Sequence, residues 1–482
     1  MLKLIIRQAN WGVLGAVFGF AIGFFVKIYL IDIVGLEAWG KYVIAQTFSS
    51  FSETILSIGI PFVIIKFIPI FIENNKDKAS RIANVFLKYA VVVGSTFLGV
   101  VYLSSDLINQ YIYNDVSGLN WILFVMCIHV PISMLFGVVV SLYRSILKIK
   151  EIVLYGTFIT VTLRAILTFI IFQFTDEILH FILIEVFTQI LVLSILLYLF
   201  NKNEFSVFIR SEAKEVTNDT KMIAYGKKMF YNSIITFLSG YVLSLVITFT
   251  LSTIDIAAYN ILLTLTGLTA FLMINLNKVF APAISKLYHE NKISELNELY
   301  KKTTFFINVL TIPLAVIIVI FADEILALYT TDMLNYKNYL FFLLVGRRLS
   351  LAAGSSGTFM IMAGLEKKEL KLQTIQVILI TVLAFVLVRK YEMIAIVSLY
   401  VIFTLFINIS QLIYIKRNLN ISPFSSDLLK LFALTIIGMY FAITQEYVFE
   451  LIHFILIPLG VYLSYFLLML KPIKNLIKEL IW

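Results

Sequence analysis

Six ionisable side chains fall inside long apolar runs of this chain: Lys27, Glu53, Arg164, Glu185, Arg347 and Arg348. A charged group in the middle of a hydrocarbon layer costs about 2.5–3.5 kcal/mol on the insertion scale, so each needs a partner, water or a ligand. Lys27 and Glu53 lie at similar depths of neighbouring runs, and Arg164 can meet Glu185 across two others. Both pairs read either as salt bridges or as parts of a site. Asp32, Lys66 and Lys278 lie nearer the ends of runs, where long side chains reach water. Arg347 and Arg348 differ, because the runs of the second half carry no acid to neutralise them. Successive helix residues point about 100° apart, so one of the two is expected to face a central cavity. A cationic, water-filled cavity suits an anionic ligand such as a pyrophosphate or an acidic sugar, which the planar guanidinium fork binds through two hydrogen bonds.

The elements that must hold these groups are membrane helices. About 20 mostly apolar residues cross a hydrocarbon core. Such runs occupy 11–34, 42–69, 83–104, 120–143, 152–174, 178–200, 229–250, 256–280, 303–322, 338–362, 372–389, 393–415, 428–445 and 447–470. The fold class expected is therefore all-α integral membrane, with fourteen transmembrane helices. Of the 482 residues 60% are hydrophobic and only 14% charged, against roughly 25% charged in soluble domains. The first run follows Lys3 and Arg7, is long, and reads as a retained helix rather than a signal peptide. Cys127, the one cysteine, excludes an internal disulfide. The net charge of +9 is spread over many short loops, with no basic tail or domain, which argues for topology and against nucleic acid. Alternate loops collect Lys and Arg, as in Lys76-Asp77-Lys78, Arg144 to Lys150, Lys286 to Lys302 and Lys367-Lys368, while the intervening loops are mainly acidic. Both termini are expected in the cytoplasm of a bacterial inner-membrane protein.

The chain divides after six runs at its widest loop. The expected organisation is a lobe over 1–200, a cytoplasmic loop over 201–228, a second six-helix lobe over 229–415 and a final pair over 416–482. Two faint echoes relate the lobes at an offset of about 215 residues: Ala-Trp-Gly-Lys-Tyr at 38–42 against Asp-Ile-Ala-Ala-Tyr-Asn at 255–260, and Phe-Ile-Pro at 67–69 against Phe-Ala-Pro at 280–282. Parallel repeats of this kind place a transported substrate at the interface of the halves. Pro61, Pro131, Pro313 and Pro458 fall within runs and are expected to bend them. Gly12, Gly15, Gly19 and Gly23 line one face of the first span, as tight helix packing requires.

The chemistry of an enzyme is missing. His129, His180, His289 and His453 are scattered without a second metal ligand at helical spacing, no Gly-rich phosphate loop occurs, and the outward loops are short, with Asp106 and Asp115 as their main acids. No cofactor, metal or catalytic residue is expected. A membrane glycosyltransferase or polymerase remains the third reading, behind two kinds of transporter.

Certain segments resemble a known family. They are Trp11-Gly12-Val13-Leu14-Gly15, Gly40-Lys41-Tyr42, Leu56-Ser57-Ile58-Gly59-Ile60-Pro61, Lys66-Phe67-Ile68-Pro69 and Gly364-Leu365-Glu366-Lys367-Lys368. With six plus six plus two spans, they make the chain similar to the multidrug/oligosaccharidyl-lipid/polysaccharide exporter superfamily, and within it to the Wzx-type flippases of bacterial O-antigen and related polysaccharides. The resemblance implies a V-shaped pair of lobes around a cationic cavity, alternating access often coupled to an ion gradient, and a lipid-tail groove on the last two spans. It implies an undecaprenyl-pyrophosphate-linked oligosaccharide as substrate, contact with membrane lipid, and a polysaccharide polymerase and chain-length regulator as partners. Arg347, Arg348, Arg164, Lys27, Lys66 and Lys278 are then the candidate substrate-binding residues, and Asp32, Glu53 and Glu185 the ion-coupling candidates. The chain departs from the family where glycines are usual after the Tyr between spans eleven and twelve, since Tyr391 is followed by Glu392-Met393-Ile394-Ala395. Lys27 also lacks a following acid, which argues against the peptidoglycan-precursor branch. The alternative of the same fold is a cation-coupled multidrug exporter, for which Glu53 and Glu185 would bind the ion.

Overall fold

The computed structural model describes residues 2–209 and 219–432, without the side chains of 2–10, 74, 278 and 279. Most of the thirteenth expected span, all of the fourteenth, Pro458 and His453 lie outside the described residues. Within them the secondary structure is helical, and nine helices are long and apolar enough to cross a membrane. Two of these carry two expected spans each. Leu2–Leu56 runs through a non-helical Gly35 (φ 80°), and Glu366–Leu419 through a non-helical Glu392 (φ 48°).

Helices overrun the apolar runs at many Lys-rich ends. The eighth span is carried by Thr253–His289 and the ninth by Ile293–Ile320. The seventh begins at Thr220, inside the segment expected as loop, because the Asp219 carboxylate accepts from the Lys221 and Met222 amides at 3.1 Å and caps the first turn. Hydropathy marks the part of a helix that suits hydrocarbon, and the hydrogen-bonded backbone continues past it into polar sequence.

Three apolar runs that read as continuous are broken. The second span stops at Leu56 and resumes at Ile60 through Ile58 (φ 38°) and Gly59 (φ 74°). Pro61 therefore opens a helix, where its missing N–H is harmless, instead of bending one. The freed Leu56 carbonyl accepts from the Tyr89 hydroxyl at 2.9 Å. Pro131 likewise sits near the start of His129–Ser145, after a break at Ile128. The tenth span divides into Lys337–Ala352 and Ser356–Met362 at Gly354 (φ 64°). There the Leu351 carbonyl accepts from Asn308 Nδ2 and the Ala353 carbonyl from Tyr300, both at 2.9 Å. Interrupted helices are tolerated in a membrane protein only where neighbours satisfy the exposed backbone in this way.

By its contacts the described chain forms two compact units. The first takes the chain up to Ile261 with Leu326–Asn335 and Gln373–Ile396, and the second takes Leu262–Ile325, Tyr336–Leu372 and the chain from Val397 onward. The first unit has a core of Ile64, Ile68, Ile82, Val139, Leu142, Leu196 and Phe200. The glycine face of the first span packs against the fifth: a Cβ at Gly15 would lie 2.8 Å from Val153 Cγ1, and one at Gly19 3.5 Å from Thr157 Cγ2. Val153 and Thr157 belong to a π-helical stretch, Ile152–Phe158. The second unit is packed around Phe280, Leu296, Tyr300, Phe359, Met360 and Ile415.

Candidate functional site

In the first unit the expected Arg164–Glu185 pair is formed, with Arg164 Nη1 2.7 Å from Glu185 Oε1. The second carboxylate oxygen accepts from the Tyr42 hydroxyl at 2.9 Å, and Gln46 Nε2 donates to that hydroxyl at 3.0 Å. Glu185 is buried, so both of its oxygens are committed to protein. One turn further along the sixth span, Gln189 pairs with His129 Nδ1 at 2.6 Å and donates to Ser133 Oγ at 2.9 Å. This is a hydrogen-bonded cluster in which the Arg164 and Glu185 charges compensate each other.

Lys27 does not meet Glu53. Its ammonium donates to Asn260 Oδ1 at 2.7 Å, and Trp39 Nε1 donates to the same oxygen at 3.2 Å. The Trp39 ring stands 5.4 Å from the Lys27 nitrogen and stacks on Tyr42 at 4.6 Å. The two motif segments that echo each other in sequence thus touch. A Cβ at Gly40 would lie 2.0 Å from the Thr253 carbonyl oxygen, so only glycine permits this approach. The Glu53 carboxylate makes no hydrogen bond or ion pair among the described residues. The sequence expectation fails here because a neutral Asn, which no charge pattern flags, supplies the nearer acceptor. Asp32 is exposed. Lys66 is exposed and stacks over the Tyr225 ring at 3.9 Å. The side chain of Lys278 lies outside the described residues.

In the second unit the two adjacent arginines divide. Arg348 Nη1 donates to Thr311 Oγ1 and Nη2 to Asn308 Oδ1, both at 2.7 Å. Asn308 and Thr311 are fully buried on the ninth span. Asn308 also caps the broken tenth span, so Arg348 is part of the device that holds that break. Arg347 lies over the Tyr400 ring at 5.5 Å, and its Nε has no hydrogen-bond partner among the described residues. This half does bury an acid outside the expected runs. Glu369 is buried, and accepts from Gln411 Nε2 at 2.8 Å. Its setting in Glu366-Lys367-Lys368-Glu369 reads as a solvated turn, yet the helix Glu366–Leu419 turns that one residue inward. Gln411 accepts from Ser356 at 2.6 Å, which ties the second piece of the tenth span to the twelfth.

Sequence reasoning missed Tyr42, Asn260, Asn308, Thr311, Tyr400 and Gln411. They are neutral polar or aromatic side chains in apolar runs, and only their partners make them notable.

These features define an integral membrane protein with the fold of multidrug/oligosaccharidyl-lipid/polysaccharide superfamily transporters. A sequence profile of polysaccharide biosynthesis proteins matches residues 32–335, and the chain belongs to that family. Comparison with the curated proteins gives no match. Among solved structures, the lipid II flippase MurJ in an inward closed conformation is similar at a TM-score of 0.74 and 16% identity, covering 96% of this chain and 99% of that one. An inward-facing multidrug resistance MATE family transporter follows at 0.66 and 13%, covering 82% and 98%. A superfamily transporter from Pyrococcus furiosus, described by a reversed polarity of its binding pocket, gives 0.62 and 13%, covering 87% and 96%. At such identities the likeness concerns the fold.

Proposed function

We propose that this protein carries an undecaprenyl-pyrophosphate-linked oligosaccharide across the bacterial inner membrane by alternating access, for surface polysaccharide synthesis. The observation that carries the reading is the division between Arg347 and Arg348. One guanidinium is hydrogen-bonded in holding a broken helix, and the other lies over an aromatic ring, its buried Nε without a hydrogen-bond partner among the described residues. A cation maintained in that state at a cost of folding is a functional group by default, and a diphosphate is the anion its fork fits best. The lobes 1–200 and 229–415 would rock about the loop between them, with both termini and that loop cytoplasmic. Asp32 and Glu53 are then the ion-coupling candidates, Lys27 and Lys66 secondary contacts for the anionic substrate, and a polymerase and chain-length regulator the partners downstream.

Arg347→Gln should leave the protein at parental level and trap lipid-linked oligosaccharide on the cytoplasmic face. Arg347→Lys should also be impaired, because a point charge does not reproduce the fork. Parental polymer export from a normally produced R347Q variant overturns the proposal. A second reading, export of cationic drugs in exchange for an ion, is favoured by Glu53 alone. It requires that Glu53→Gln abolish drug resistance conferred by the protein, whereas the flippase reading expects no such resistance.

A further inference from the structure

The contact between the tenth and twelfth spans holds two buried polar atoms that have no hydrogen-bond partner among the described residues: Arg347 Nε and the Tyr400 hydroxyl. They belong to one contact, with the guanidinium carbon 5.5 Å from the Tyr400 ring centroid. A residue adjacent in sequence on each helix sets that spacing. A Cβ added at Gly346 would lie 2.7 Å from Val401 Cγ2 and 3.3 Å from Val401 Cα. The two backbones therefore approach to a distance that glycine permits and alanine does not. Polar side chains further along the same helices are satisfied: Asn408 Nδ2 donates to Ser350 Oγ at 3.2 Å, and Ser356 donates to Gln411.

Both atoms are donors. A guanidinium N–H and a phenolic O–H on two residues in contact can both donate to the oxygens of one ligand group, and such bonds are strongest when those oxygens are anionic. The ring face meanwhile restrains the guanidinium through the cation–π contact. Resting on the function proposed above, we infer that Arg347 and Tyr400 form an oxyanion-binding pair for a phosphoryl oxygen of the substrate's diphosphate, and that Gly346 sets its geometry.

Tyr400→Phe separates this from a packing role, because it keeps the ring and the cation–π contact and removes only an oxygen that has no hydrogen-bond partner among the described residues. Purified full-length protein in phosphatidylcholine nanodiscs is titrated with undecaprenyl diphosphate, with undecaprenol, and with inorganic pyrophosphate or phosphatidylglycerol as competitors. Loss of a hydrogen bond to a charged group weakens binding by about ten- to a hundredfold. The expected result is about tenfold weaker binding of undecaprenyl diphosphate by Y400F and about a hundredfold by R347Q. Undecaprenol binding should be unchanged, and inorganic pyrophosphate should compete. Competition by phosphatidylglycerol as strong as that by pyrophosphate would assign the pair to a bulk lipid headgroup and overturn the inference. Parental affinity in Y400F together with loss in R347Q overturns the pair and leaves the flippase reading standing. Parental affinity in both, with parental oligosaccharide flipping by R347Q, overturns both. Gly346→Ala gives an independent check: it should weaken diphosphate binding in the same assay while retaining undecaprenol binding, and parental diphosphate affinity would remove Gly346 from the account.

Discussion

Arg164 and Arg347 are both arginines within membrane spans, and sequence already separates them, since Glu185 is within reach of the first and the runs of the second half carry no acid. In the structure Arg164 is 2.7 Å from the buried Glu185 carboxylate, whose other oxygen is held by Tyr42. Arg347 instead faces an aromatic ring, while each of the two arginines keeps an Nε without a hydrogen-bond partner among the described residues. The first arrangement closes its own electrostatics. The second leaves a positive charge with no carboxylate paired to it among the described residues. An intramembrane charge is thus informative only once its partner is known, and the partner decides between scaffold and site.

The contrast can be broken most severely on the scaffold side. Glu185→Ala strands the Arg164 guanidinium, and losing one partner of a buried pair costs about 3–5 kcal/mol. Folded yield and thermal unfolding in detergent should fall sharply, and R164M/E185L should recover much of the loss, since an apolar pair of similar volume is often neutral or better. If E185A folds normally but transport stops, the pair belongs to the site and the contrast is wrong.

A smaller effect is expected at Lys27. Asn260→Ala removes the acceptor shared by Lys27 and Trp39. A buried donor left unsatisfied costs about 1–3 kcal/mol, more when charged, so the melting temperature should fall while a K27M/N260A double variant falls less than the sum of the single ones. Additivity would show that Lys27 is already solvated and free to act elsewhere.

The smallest effect concerns Glu392. It carries φ 48° and ψ −131° at the kink between spans eleven and twelve, a conformation that favours glycine and costs about 1–3 kcal/mol for other residues. Glu392→Gly should raise stability by about 1 kcal/mol, less the backbone entropy that glycine loses on folding. Unchanged or lower stability would mean that the side chain is held by something the geometry does not reveal.

The same position shows how far sequence reading reaches. The family resemblance expects glycine after Tyr391, and the backbone explains the expectation: a positive φ is required there. Apolar runs located the helices because hydrocarbon selects composition over about 20 residues, and the Arg164–Glu185 pair could be anticipated because opposite charges in such runs seek one another. What remained hidden was short-range. The breaks at Gly59 and Gly354 fall inside runs apolar enough overall to read as single spans, and depend on Tyr89, Tyr300 and Asn308 reaching from other spans. The burial of Glu369 was invisible for the opposite reason, since its neighbours in sequence are charged and only the helix phase turns it inward. Lys27 bonds to the neutral Asn260, which no charge pattern in the sequence flags.

The central claim is that Arg347 binds the anionic group of a lipid-linked oligosaccharide while Arg164 serves the fold. It is tested most directly in proteoliposomes that contain purified protein and undecaprenyl-pyrophosphate-linked oligosaccharide bearing a fluorescent sugar, with transbilayer movement read by an impermeant quencher. The account predicts rapid exposure of the label with the parental protein and with a folded R164M/E185L variant, and loss of exposure with R347Q at equal incorporation. Exposure by R347Q at the parental rate, or its loss in the folded R164M/E185L variant alone, would contradict it.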